Sequence, residues 1–188
     1  MAYLINQVDV MNRLHNLHGH RVNPGGTDED LKRWVQDGFD YCWRYHKWGF
    51  AMKTDSTSAT GVLPDDFDLE GYFDLEDTYT VIWDGTTGEL KLDGVDEETE
   101  ITYQIAPPTL GTDEAGSAPF PSARVVAMAA VIYSKLSENP TRADVQQEWD
   151  ILHSELDRLV GFSTRNKAPR RPVNFHDVAG TFTGDVGV

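Results

Sequence analysis

The stretch Val145-Gln146-Gln147-Glu148-Trp149-Asp150-Ile151-Leu152-His153-Ser154-Glu155-Leu156-Asp157-Arg158-Leu159-Val160-Gly161 decides how this chain is read. Val145, Trp149, Leu152, Leu156 and Leu159 recur at spacings of four, three, four and three, which draws a narrow apolar seam along one face of a helix. A seam of this kind is half of an interface and needs helices to pack against. Gly161 is expected to stop the helix. From Phe162 to Val188 there is no helical period, only single aromatics and valines, so this segment reads as an extended arm without a core of its own. A helical body that carries such an arm reads as built to assemble rather than to turn over a substrate.

Working outward, three further helices are expected. Residues 6–18 carry the stripe Val8, Met11, Leu14, Leu17, followed by Gly19 and the turn cluster Asn23-Pro24-Gly25-Gly26. Thr27 is a fitting N-cap, and Asp28, Glu29 and Asp30 put negative charge in the first turn of a second helix reaching to about Lys47. Its apolar face is Leu31, Trp34, Val35, Phe39, Cys42, Trp43 and His46, with Cys42 read as a small buried thiol. A third helix spans Ser122 to Glu138, with Val125, Met128, Ala129, Ile132 and Leu136 inward. Asn139-Pro140 ends it, and Thr141 with Asp144 starts the fourth, so helices three and four should be antiparallel neighbours. The third helix is too alanine-rich to cover Trp149, so Trp34 or Phe39 should contribute to one shared core.

Between the helix pairs the period changes. Thr78 to Trp83 is β-branched and aromatic, Asp84-Gly85-Thr86-Thr87-Gly88 is a turn, and Glu89 to Leu92 alternates, which predicts a β-hairpin. Glu100 to Ile105 alternates again and should pair nearby. Gly61 to Phe67 reads as a strand end entering a proline-fixed loop. Gly111 to Pro121 reads as a linker. The expected architecture is α+β. A small antiparallel bundle of about four helices comes from residues 1–48 and 118–161. A β-rich module with its linker is inserted at 49–117, and a C-terminal arm follows at 162–188.

The 188 residues suffice for one domain with an inserted module. No apolar run is long enough for a membrane span, and no signal peptide is expected from the N-terminus. One cysteine excludes an internal disulfide framework. The formal charge of −15 argues against nucleic-acid binding by phosphate neutralisation. It is compatible with a surface that nucleic acid passes without sticking. Acidic residues concentrate between Asp55 and Glu114, whereas Arg165, Lys167, Arg170 and Arg171 make the start of the arm basic.

No spacing pairs a nucleophile with a base. His15 and His18 share a helical face, as metal pairs do, with His20 in the turn beyond, but no third ligand is fixed, and a solvated helix end is the default reading. The run Asp93, Asp96, Glu97, Glu98, Glu100 lacks the ligand spacing of an EF-hand. There is no phosphate-binding glycine loop, GxSxG, HExxH or CxxC. No catalytic, cofactor or metal residue is therefore assigned.

The order of parts resembles the head–tail adaptor proteins of tailed bacteriophages, also called connector or head-completion proteins, in the longer kind with a β-rich insert. The resemblance rests on several pieces in combination. They are the aromatic stretch Trp43-Arg44-Tyr45-His46-Lys47-Trp48, the Leu63-Pro64-Asp65-Asp66-Phe67 loop, and Pro121-Ser122-Ala123-Arg124 leading into the alanine-rich helix. The spacer Asn139-Pro140-Thr141-Arg142-Ala143-Asp144 before the last helix completes the set. It spans about residues 3 to 160. It implies a structural virion protein, made in the host cytoplasm and placed at the portal vertex. There it would form a ring, commonly twelvefold, that extends the DNA channel beneath the portal and receives a tail or stopper protein. On this reading Phe162, Arg165, Lys167, Arg170, Arg171, Val173, Phe175 and Phe182 are interface residues of the arm. Asp93, Asp96, Glu97, Glu98 and Glu100 are candidates to face the channel. The alternatives are a small metal-dependent hydrolase using His15, His18 and His20, and a monomeric protein-binding module.

Overall fold

The computed structural model describes residues 3–18, 28–74, 79–95, 97–138 and 145–165. In chain order these form β1 (Tyr3–Ile5), α1 (Gln7–His18), α2 (Asp28–Arg44), β2 (Met52–Ser56), β3 (Phe73–Asp74), β4 (Thr80–Asp84), β5 (Glu89–Asp93), β6 (Glu100–Gln104), β7 (Ala118–Phe120), α3 (Ala123–Glu138) and α4 (Val145–Arg165). The chain is α+β, with four helices and small antiparallel sheets.

Local chemistry explains where the helices begin. Asn6 and Asp9 form a reciprocal cap on α1: the Asp9 amide donates to Asn6 Oδ1 at 3.0 Å, and the Asn6 amide donates to Asp9 Oδ2 at 3.1 Å. Asp28, Glu29 and Asp30 sit in the first turn of α2 and Arg44 in its last, each at the favourable pole of the helix dipole. His46, expected on the second helix, lies beyond its end. The chain turns there, and the Trp48 indole donates to the Cys42 carbonyl at 3.0 Å, closing the helix terminus from below.

One hydrophobic core joins both helix pairs. Trp34, Val35, Phe39, Cys42 and Trp43 of α2 pack with Val126, Ala127, Ala129 and Ala130 of α3, Val10 and Leu14 of α1, and Val145, Leu152 and Leu156 of α4. Small residues set the spacing. A methyl group built on Gly38 would lie 2.6 Å from the Ala130 amide nitrogen and 3.0 Å from the Val126 carbonyl oxygen, so α2 and α3 meet backbone to backbone. Trp149 is half-buried, and its ring neighbours on the other helices are Tyr41 and Tyr133 rather than the expected Trp34 or Phe39. Those two rings lie on the deeply buried stripe of α2, one face removed.

The β module has a smaller core of Leu63, Phe67, Leu92, Ile101 and Tyr103. Its three-stranded sheet runs β2–β6–β3, and β4 and β5 form the predicted hairpin, with Val81 opposite Leu92 and Trp83 opposite Leu90. Val62 bridges to Lys91 and Phe67 to Ile105, which places the Leu63–Phe67 loop between hairpin and sheet. The module is locked to α2 by Gln104, which is fully buried. Its Nε2 donates to the Trp43 carbonyl at 2.6 Å, its Oε1 accepts from the Tyr72 amide at 3.2 Å, and the Trp43 indole donates to the next carbonyl, Ile105, at 2.8 Å.

Two further expectations are corrected. The segment read as a linker contains β7, which pairs antiparallel with β1, Tyr3 opposite Phe120. Phe120 is fully buried against Phe39 and Trp48, and the energy of that aromatic burial outweighs the loop-forming composition around it. The other correction is at Gly161, which does not stop the last helix: α4 continues to Arg165. A glycine costs a helix only about 1 kcal/mol, which neighbouring residues can offset. Thr27, the Asn139–Asp144 junction, His20 and residues 166–188 lie outside the described residues.

Candidate functional site

The face of α2 opposite its buried stripe carries polar and aromatic side chains at helical spacing, Asp37, Asp40, Tyr41 and Arg44, and Tyr45 follows directly after its end. Together with Tyr133 from α3 and Glu70 from the loop of the β module they line a cleft of about 380 Å³. The cleft therefore sits where the helical core meets the module.

Its side chains are held in place. The Tyr41 hydroxyl and His153 Nε2 are 2.6 Å apart, and the Tyr45 hydroxyl donates to Asp157 at 2.8 Å, so α4 buttresses both rings from behind. The His153 ring stacks on Tyr45. Arg44 is clamped between Asp68 and Glu70, at 2.7 Å from each. Gln36 donates to Asp40 at 2.6 Å and to the Pro108 carbonyl, and it accepts from the Leu110 amide, tying the chain that leaves the module to α2.

Burial raises the pKa of Asp37 and of Asp40 above the ordinary carboxylate value. The Tyr41 hydroxyl is pushed up to about 12 by burial, and burial, with the hydrogen bond to Asp157, raises Tyr45 as well. All three tyrosines of the cleft are therefore neutral at neutral pH. The cleft was missed in the sequence, where α2 was read for its buried face alone. The signal was present as Asp37, Tyr41 and Arg44 at i, i+4 and i+7.

A second surface is acidic. Asp93 at the end of β5, Glu97 and Glu98 in the following turn, and Glu100 at the start of β6 are all exposed, so four of the five channel candidates lie on the connection from β5 to β6. Asp96, the fifth, lies outside the described residues. A third surface is apolar. Tyr3 is 62% exposed and Leu4 70% exposed on β1, and Val8 in the first turn of α1 is 42% exposed. Trp83 is 65% exposed on the hairpin.

Of the arm residues, Phe162 and Arg165 fall in the last turn of α4. Lys167, Arg170, Arg171, Val173, Phe175 and Phe182 lie outside the described residues. His15 and His18 are in the last turn of α1. Among the described residues no group of three His, Cys, Asp or Glu side chains is placed to hold a metal ion. Cys42 is buried and its thiol pKa is raised by that burial, which makes it a packing residue. No helix among the described residues is long and apolar enough to cross a membrane. No protein-family model matches the chain, and comparison with curated proteins returns no match.

Proposed function

We propose that the chain is a structural assembly protein, a head–tail adaptor that forms a ring beneath a phage portal, extends the DNA channel and presents an attachment platform to tail components. The observation that carries this reading is the pair of unlike exposed surfaces on one chain. An exposed apolar ribbon at β1 and the start of α1 suits a protein neighbour. An exposed carboxylate stretch from Asp93 to Glu100 suits the wall of a passage, because carboxylates repeated around a ring repel phosphates and let DNA slide. The tight core and the buried lock at Gln104 fix the two surfaces relative to each other, which a ring subunit requires. The segment that follows α4, after Arg165, provides a tether per subunit, and many weak tethers in one ring sum to a stable joint.

The experiment is sedimentation of the full chain mixed with the portal protein encoded in the same genome, alongside a chain ended after Arg165. The full chain should co-sediment with portal rings, and the shortened chain should keep its helical dichroism but lose most of the binding. A full chain that never joins the portal refutes the reading. Binding unaltered by the truncation refutes the role of the arm.

A further inference from the structure

We infer that the cleft on α2 is a receptor for a guanidinium group, the side chain of an arginine delivered by a protein segment; this goes beyond the adaptor reading and does not depend on it. Three properties of the cleft converge on that ligand. The first is unbalanced charge. Arg44 is the only cation in the lining, and it is already shared by Asp68 and Glu70 at 2.7 Å each. Asp37 has no hydrogen-bond or ion-pair partner among the described residues, only the field of Arg33. Asp40 accepts a hydrogen bond from a neutral amide, Gln36, and feels Arg44 only through its field. Two carboxylates thus line the cleft within the field of Arg33 or Arg44 but with no cation in direct contact among the described residues, although partial burial disfavours their charge.

The second is the wall material. Tyr41, Tyr45 and Tyr133 give three aromatic rings beside those carboxylates. Tyr41 and Tyr133 are 6.5 Å apart, centroid to centroid, at 64°. A guanidinium stacks on an aromatic face and donates in the plane to carboxylates, so it satisfies both kinds of wall at once, whereas an ammonium is a compact and more strongly hydrated charge. The third is preorganisation. His153 and Asp157 of α4 hold the Tyr41 and Tyr45 hydroxyls, so these rings need little ordering when a ligand enters. The volume of about 380 Å³ accommodates an arginine head group with part of its stem. The source of the arginine is either the chain's own basic segment, which holds Arg165, Arg170 and Arg171, or a second protein.

The test is a titration of the full-length protein with N-acetylarginine amide, followed by the ring resonances of the three cleft tyrosines. N-acetylcitrulline amide, equal in shape but neutral, is the control. Saturable shifts with the arginine amide and none with citrulline support the receptor, as does an affinity lowered at least tenfold in Asp37→Asn/Asp40→Asn. Equal binding of citrulline, an unchanged affinity in the double variant, or no saturable shift in either the wild type or the arm variant below overturns it. The citrulline comparison needs no variant, so the inference stays testable even if the double substitution unfolds the chain. An Arg165→Gln/Arg170→Gln/Arg171→Gln variant identifies the source. Affinity raised fivefold or more over the wild type means the native arm competes for the cleft, and equal saturable affinity means the arginine comes from a second protein. If the arginine amide binds neither the wild type nor this variant, the receptor is refuted, whether or not the chain joins a portal.

Discussion

Replacing Gly38 by alanine adds one methyl group where the structure has least room for it. The new carbon would sit 2.6 Å from the Ala130 amide nitrogen, 3.0 Å from the Val126 carbonyl oxygen and 3.1 Å from the Ala129 carbonyl carbon. All three are backbone atoms, so no side chain can rotate away, and α2 and α3 must move apart. Overpacking of this kind costs about 1–3 kcal/mol, and a backbone contact belongs at the upper end. Alanine returns about 1 kcal/mol through its better helix propensity. The expected net loss is about 2 kcal/mol, or about 4–8 °C in Tm for a chain of this size. Gly161 supplies the matched control. It is also inside a helix, but a methyl group there meets nothing within 4 Å among the described residues, so Gly161→Ala should gain up to about 1 kcal/mol. Urea melts of the two variants beside the wild type measure both. A Gly38→Ala protein as stable as the wild type would show that the close α2–α3 approach is wrong.

Three further expectations follow from single contacts. Gln104→Leu keeps the volume but leaves the Trp43 carbonyl and the Tyr72 amide without the partner they now share; the expected loss is about 2–4 kcal/mol in the same melts, and a loss below about 0.5 kcal/mol refutes the lock. The hydrogen bond from Lys91, with the Thr86 amide, holds the Asp84 carboxyl at about 2. A depressed folded pKa gives stability present above the unfolded value near 4 and lost as pH falls through about 2, so carboxyl NMR should show Asp84 ionised at pH 3, and an ordinary titration midpoint would remove the Lys91 contact. Burial raises Asp37, so its charge opposes folding above its folded pKa, and the penalty fades as pH drops through it; Asp37→Asn should therefore raise Tm at pH 7 by more than at pH 4, and a Tm lowered at pH 7 contradicts this.

Much of the helical framework was legible because it rests on period. The seam Val145, Leu152, Leu156 is buried as its spacing required, and Cys42 and Trp43 lie on the core face. The hairpin at residues 80–93 was legible because its β-branched strand and glycine turn act locally, with Gly88 at φ 73° in the left-handed region that the turn needs. What composition could not reveal depends on partners distant in sequence. The strand Ala118–Phe120 exists because Tyr3–Ile5 lies beside it, and nothing in Ala-Pro-Phe announces that pairing. The closeness permitted by Gly38 is a property of two helices together. The cleft shares this origin: its stripe on α2 is readable, but Tyr133 and Glu70 are brought to it by the fold.

The central claim is that the chain joins capsid to tail, and its most direct test is the particle made without it. Particles produced from a genome in which this coding sequence is interrupted would be imaged by electron microscopy and assayed for infectivity. The account predicts capsids and tails that accumulate separately, with infectivity restored when the chain is supplied in trans. Intact, infectious, tailed particles at normal yield would contradict it.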